Sequence, residues 1–101
     1  MSKLLIVDDD IRLRKLVRTY GEVEHYECDE AADGLAALEK LQNDHFDLVI
    51  LDVMMPGLDG FETLERIRKT SEIPVIMLTA RSEEYDKLTG FGLGVDDYVS
   101  K

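Results

Sequence analysis

The run Leu48-Val49-Ile50-Leu51 ends in Asp52 and is closed by Val53-Met54-Met55-Pro56-Gly57. An apolar run this short, bounded by Pro-Gly, reads as a buried central strand, here from about Asp47 to Leu51. Three other stretches have the same form. Lys3-Leu4-Leu5-Ile6-Val7 runs into Asp8-Asp9-Asp10, Pro74-Val75-Ile76-Met77-Leu78 runs into Thr79, and Tyr98-Val99-Ser100 runs into Lys101. In open α/β sheets, ligands bind at the carboxyl ends of the strands. Acids, a hydroxyl and an amine therefore fall where chemistry is expected.

Helical patterns separate these strands. Leu13, Leu16, Val17 and Tyr20 recur at i, i+3, i+4 and i+7, which predicts a helix from about Ile11 to Tyr20 with these four facing the core. Asp10 is placed to cap it, and Gly21 marks its end or weakens its last turn. Tyr26 to Glu30 predicts a weak edge strand, with Tyr26, Cys28 and Glu30 on one side and Glu27 and Asp29 on the other. A second helix follows Asp33-Gly34, with Leu35, Leu38 and Leu41 inward, and Asn43-Asp44-His45 breaks it. Asp59 followed by Glu62 forms a capping box for a third helix, with Phe61, Leu64 and Ile67 inward. A fourth helix begins at Ser82-Glu83-Glu84, carries the thin apolar face Tyr85, Leu88 and Phe91, and is loosened by Gly90, Gly92 and Gly94. A fifth strand lies within Val95 to Val99.

Strand and helix alternating with short connections predicts a doubly wound parallel α/β sheet with right-handed crossovers, in the flavodoxin-like order 2-1-3-4-5. Handedness then puts the first helix on one face and the next three on the other. The first face is left half covered, and a final helix that would complete it is missing from the sequence, which stops at Lys101. This predicts exposed apolar surface in a monomer, and hence an altered or exchanged homodimer or poor stability.

The 101 residues fit one domain. A net charge of −10 argues against direct contact with a nucleic-acid backbone, which calls for clustered Lys and Arg. It agrees with a cation site or a basic partner. No stretch approaches the ~20 apolar residues of a membrane span, and no signal-peptide core follows Met1-Ser2-Lys3. The single cysteine, Cys28, reads as a small core side chain in a reducing cytoplasm. His25 and His45 read as solvent-facing.

The order 2-1-3-4-5 makes strands one and three neighbours at the switch point, so Asp8, Asp9 and Asp52 converge. Two carboxylates about 4 Å apart repel by roughly 4 kcal/mol at an effective dielectric near 20. A hard divalent cation and the Lys101 amine are the available compensation. Oxygen ligands with open water positions suit Mg²⁺, and the Met54 backbone carbonyl is placed to join them. Asp52, alone on the central strand, is the better nucleophile for forming an acyl phosphate, while Asp8 and Asp9 are the better metal ligands. Mg²⁺, Lys101 and Thr79 supply the cationic and hydrogen-bonding contacts that a transferred phosphoryl group needs.

At these residues the chain resembles the receiver domain of two-component response regulators, over nearly its whole length. The resemblance rests on Leu4 to Asp10, Asp52 to Gly60, Leu78-Thr79-Ala80-Arg81 and Gly94 to Lys101. It implies that Asp52 is the phosphoacceptor and that Asp9, Asp52 and the Met54 carbonyl bind Mg²⁺ directly, with Asp8 acting largely through water. It also implies that Thr79 and Lys101 contact the phosphoryl oxygens and that Tyr98 is a switch residue turning inward as Thr79 moves. The implied donor is a phosphohistidine on a sensor histidine kinase. Ala80 is short enough to admit water and allow slow self-dephosphorylation. The wording around Pro56 and Arg81 is closest to receivers that precede a winged-helix DNA-binding domain, so the implied output is transcription. The chain itself would be a signalling domain rather than an enzyme, incomplete at its C-terminus over 1–101, with no contact of its own to nucleic acid or membrane. The family's proline after the lysine is absent because the sequence stops.

Three other readings fit less well. A Mg²⁺-dependent aspartyl phosphatase would place an acid at Met54. A flavin or nucleotide module would need a glycine-rich cradle after the first strand. A scaffold with a silent site would not need the full residue set.

Overall fold

The computed structural model describes residues 2–79 and 97–100, with side chains as far as residue 78. The elements run β1 (Lys3–Val7), α1 (Ile11–Val23), β2 (Glu27–Ala31), α2 (Gly34–Asn43), β3 (Leu48–Asp52), α3 (Gly60–Arg68), β4 (Val75–Thr79) and β5 (Asp97–Ser100). All strand pairs are parallel, and the order is β2-β1-β3-β4-β5. This is the predicted order. The expected fourth helix and Lys101 lie outside the described residues.

Alternation along the strands sorts the core into two layers. Leu5, Val7, Val49, Leu51, Val75 and Met77 point to one face, where Ala37 of α2 and Leu64 of α3 complete a cluster of buried residues. Leu4, Ile6 and Cys28 point to the other, packed with Val17 of α1 and half-buried Leu48 and Ile50. The split agrees with the handedness argument, α1 on one side and α2 with α3 on the other.

Local chemistry sets the helix starts. Asp10 caps α1 by accepting from the Arg12 amide at 2.9 Å. Asp33 caps α2 by accepting from Ala36 at 2.8 Å. Asp59 and Glu62 form the expected capping box of α3. Leu64 and Ile67 are buried and Phe61 packs against the core, as the spacing predicts.

Several details differ from the sequence reading. Gly21 does not end α1. The helix continues to Val23, and Gly21 is buried against Cys28 so closely that a Cβ there would lie 2.8 Å from the Sγ. Leu16 and Tyr20 are exposed rather than in the core, since among the described residues no helix lies beside that flank of α1. Leu35 is exposed too, and α2 instead buries Gly34 and Ala37. Small residues win there because α2 approaches α3 closely, with Gly34 against the Thr63 side chain. The edge strand starts one residue later than expected, and Tyr26 lies outside it. No helix among the described residues is long and apolar enough to cross a membrane.

Candidate functional site

Strand ends carry the site. Val7 pairs with Leu51 across β1 and β3, so the residues that follow, Asp8 and Asp52, leave the sheet side by side. Asp8, Asp9 and Asp52 each offer a carboxylate oxygen, and these oxygens lie within 4.8 Å of one another. Asp8 and Asp52 are each 1% exposed, whereas Asp9 is open to solvent. The two buried carboxylates form the floor of the cluster, and the exposed one forms its mouth.

The backbone around the acids is fixed by hydrogen bonds. The Asp8 amide donates to the Ala31 carbonyl of β2 at 3.2 Å. The Asp8 carboxylate accepts from the Asp10 amide at 3.0 Å, which turns the chain into α1. Beyond Asp52, the Val53 amide donates to the Leu78 carbonyl of β4 at 3.0 Å, and Gly60 donates to the Val53 carbonyl at 2.9 Å. The first residue of α3 is thereby seated on the chain that leaves Asp52.

The donor set narrows which ions fit. Three carboxylates provide only hard oxygen ligands, with no thiolate or imidazole among them. Such a set suits a hard cation of the Mg²⁺ kind rather than Zn²⁺ or Cu²⁺. Neither histidine belongs to the cluster: both are exposed, and His45 faces Asp47 at 3.3 Å at the opposite, amino end of the strands.

The other predicted site residues are described less fully. Met54 lies two residues past Asp52 in the turn after β3, with its side chain exposed. Thr79 ends β4, and Tyr98 pairs with Met77 from β5. The side chains of Thr79 and Tyr98, and Lys101 as a whole, lie outside what is described.

Sequence reasoning passed over Arg14 and Glu30. The Arg14 guanidinium donates to the Asp8 carbonyl oxygen at 2.7 Å and to Glu30 at 3.0 Å. Glu30 also accepts from Lys15 and from Arg18, each at 2.9 Å. Burial alone would push the Glu30 pKa up, but hydrogen bonds from Lys15, Arg18 and Arg14 bring it down to about 2. One signal was available. Glu30 shares a strand side with buried Cys28, and a carboxylate facing inward needs cationic partners.

Comparison with known proteins agrees with this fold. The model of the response regulator receiver domain family matches residues 4–101. A transcriptional regulatory protein, a CpxR homologue from Haemophilus influenzae, is 54% identical over 101 residues, covering 100% of this chain and 44% of that protein. The transcriptional regulatory protein ResD of Bacillus subtilis is 47% identical over 100 residues, covering 99% of this chain and 42% of that one. The chain thus spans less than half the length of these relatives. Among solved structures, the response regulator TrrA of Thermotoga maritima, in complex with Mg²⁺ and BeF, superposes with a TM-score of 0.91 at 39% identity, covering 100% of this chain and 87% of that one.

Proposed function

The chain belongs to the response regulator receiver domain family, and from that premise we propose that Asp52 accepts a phosphoryl group from a phosphohistidine of a sensor histidine kinase. Asp8, Asp9, Asp52 and the Met54 backbone carbonyl are the ligands for Mg²⁺ in this reading. The observation that carries it is the convergence of three carboxylates within 4.8 Å at the ends of two adjacent central strands.

The ion, when bound, offsets the charge of the acids and of the incoming phosphoryl group. The chain's own residues supply the rest. An Asp52 oxygen attacks phosphorus, the P–N bond to the donor imidazole breaks, and its electron pair returns to the ring nitrogen. Burial of Asp52 keeps its carboxylate in one orientation for this attack. Thr79 and Lys101 are assigned to the phosphoryl oxygens, and Tyr98 to the switch that follows. That assignment comes from the family motif, with Thr79 closing the strand next to β3 as its structural support.

The relatives named above are transcriptional regulators, which supports transcription as the controlled output, exerted through a part of the protein outside these residues. A cytoplasmic location goes with that role. Exposed Leu16 and Tyr20 on the α1 side support pairing with a second copy, which sedimentation over a range of concentrations tests. The phosphatase alternative gains nothing, since the position two residues past Asp52 is an exposed methionine.

Intact-mass analysis after incubation with acetyl phosphate tests the core of the proposal. Label is expected with Mg²⁺, is lost on chelation, and is absent from Asp52→Asn. An unlabelled wild-type chain, or undiminished label on Asp52→Asn, overturns it.

A further inference from the structure

We propose that Arg14 is a positioning residue for the acidic cluster: its guanidinium clamps the peptide between Asp8 and Asp9 to the sheet edge and so sets where the Asp9 carboxylate stands for a divalent cation. The inference rests on the metal-binding reading given above.

Asp8 and Asp9 are held in different ways. Asp8 is buried, and its carboxylate is anchored by the Asp10 amide. Asp9 is exposed, and among the described residues its carboxylate has no hydrogen bond or ion pair. Its position is therefore inherited from the backbone. The peptide unit is planar, so fixing the Asp8 carbonyl oxygen also fixes the Asp9 nitrogen and the direction in which the Asp9 Cα leaves.

That oxygen is fixed by Arg14. One arm of the fork reaches it at 2.7 Å, while Nε holds Glu30 at 3.0 Å. The Asp8 amide, on the other side of the same residue, is held by Ala31. Ala31 follows Glu30 in β2, so both backbone groups of Asp8 are tied to adjacent residues of one strand. Arg14 and Glu30 have side chains only 13% and 10% exposed, which shields the clamp from competing water.

The plainer reading is that Arg14 merely docks α1 on β2. Lys15 and Arg18 already do this from the same helix, and each pairs with Glu30 at 2.9 Å. Neither of them reaches the acidic loop. The bond from Arg14 to the Asp8 carbonyl adds nothing to docking that those pairs lack, but it does define the loop. Lysine could not replace it, because one ammonium cannot span a carboxylate and a carbonyl as a planar fork does.

Charge and position predict opposite outcomes, which makes the inference testable. A cation beside the cluster repels Mg²⁺, so removing it would tighten binding if charge were all that mattered. If position matters, removing it weakens binding. Isothermal titration of the 101-residue chain with MgCl₂ at constant ionic strength separates the two. Arg14→Met and Arg14→Lys are expected to raise Kd roughly tenfold, at the low end for partners that orient metal ligands. Lys15→Met, which removes one Glu30 partner without touching the loop, is expected to leave Kd unchanged. A Kd equal to or below that of the wild type in Arg14→Met overturns the inference and leaves Arg14 a docking residue, visible only in the metal-free melting temperature. Should Arg14→Met not fold, Arg14→Lys carries the comparison, because it keeps the charge and alters only the geometry, with unchanged Kd overturning the inference. A wild-type chain that does not saturate with Mg²⁺ overturns the metal-binding reading, and this inference falls with it.

Discussion

A methyl group on Gly60 would lie 2.7 Å from the Val53 Cα and closer still to the Asp52 carbonyl oxygen. Both neighbours are backbone, so neither can swing aside, and relief requires α3 to lift away from the end of β3. Gly60→Ala is expected to cost about 2–3 kcal/mol, the upper part of the range for overpacking, read as a lower urea midpoint. Labelling of Asp52 should slow in the same variant, because the carbonyl that would be pushed is its own. His25 shows the reverse case. It sits at φ 68° just past the end of α1, where the Tyr26 amide donates to Gly21 O at 2.9 Å and the His25 amide to Glu22 O at 3.0 Å. That pairing closes a helix best with glycine at the left-handed position. The His25 ring is exposed and lies outside the acidic cluster, so His25→Gly is expected to stabilise the domain by about 1 kcal/mol, measured by the same urea titration.

At the scale of elements, α1 and β2 are joined by the Glu30 network. The pKa of Glu30 is depressed from the ordinary 4.5 to about 2, so the folded state holds its proton more weakly than the unfolded chain does. The stability this provides is fully present above pH 4.5 and is lost as pH falls through about 2. Urea midpoints for wild type and Glu30→Gln should therefore differ most above pH 5 and converge toward pH 2. A gap that stays constant over that window would show that the network contributes packing alone. The sequence revealed this junction only in part. Its strand alternation put Glu30 on the same side as Cys28, but choosing Arg14, Lys15 and Arg18 as partners requires knowing how α1 lies across β2. The end of α1 lies beyond Gly21 for a related reason. Glycine weakens an isolated helix, yet here its missing Cβ makes room for the Cys28 Sγ, and packing outweighs intrinsic propensity.

The order of the whole sheet was legible because alternation, short connections and crossover handedness leave few topologies, and the meeting of Asp8, Asp9 and Asp52 follows from that order. The exposure of Leu16, Tyr20 and Leu35 was not legible, since periodicity defines a stripe without saying what packs against it. One property belongs to the molecule as a unit. Three carboxylates gathered at the sheet end repel one another, and this repulsion opposes folding in the absence of a cation. In the metal-binding reading proposed above, Mg²⁺ favours the gathered set over the scattered acids of an unfolded chain, so binding is linked to stability. At a free concentration ten times Kd the gain is about 1.4 kcal/mol. For a domain near this size that corresponds to a rise in melting temperature of roughly 6–11 °C. Asp52→Asn should melt higher than wild type without metal, because one of the repelling charges is gone, and should lose most of the gain from Mg²⁺. Thermal melts followed by circular dichroism, with MgCl₂ set against NaCl of equal ionic strength, measure both effects. Equal melting temperatures in the two salts would mean that the acids are held apart from any common ion, whereas a rise for the wild type that Asp52→Asn fails to share places the ion at the end of the central strand.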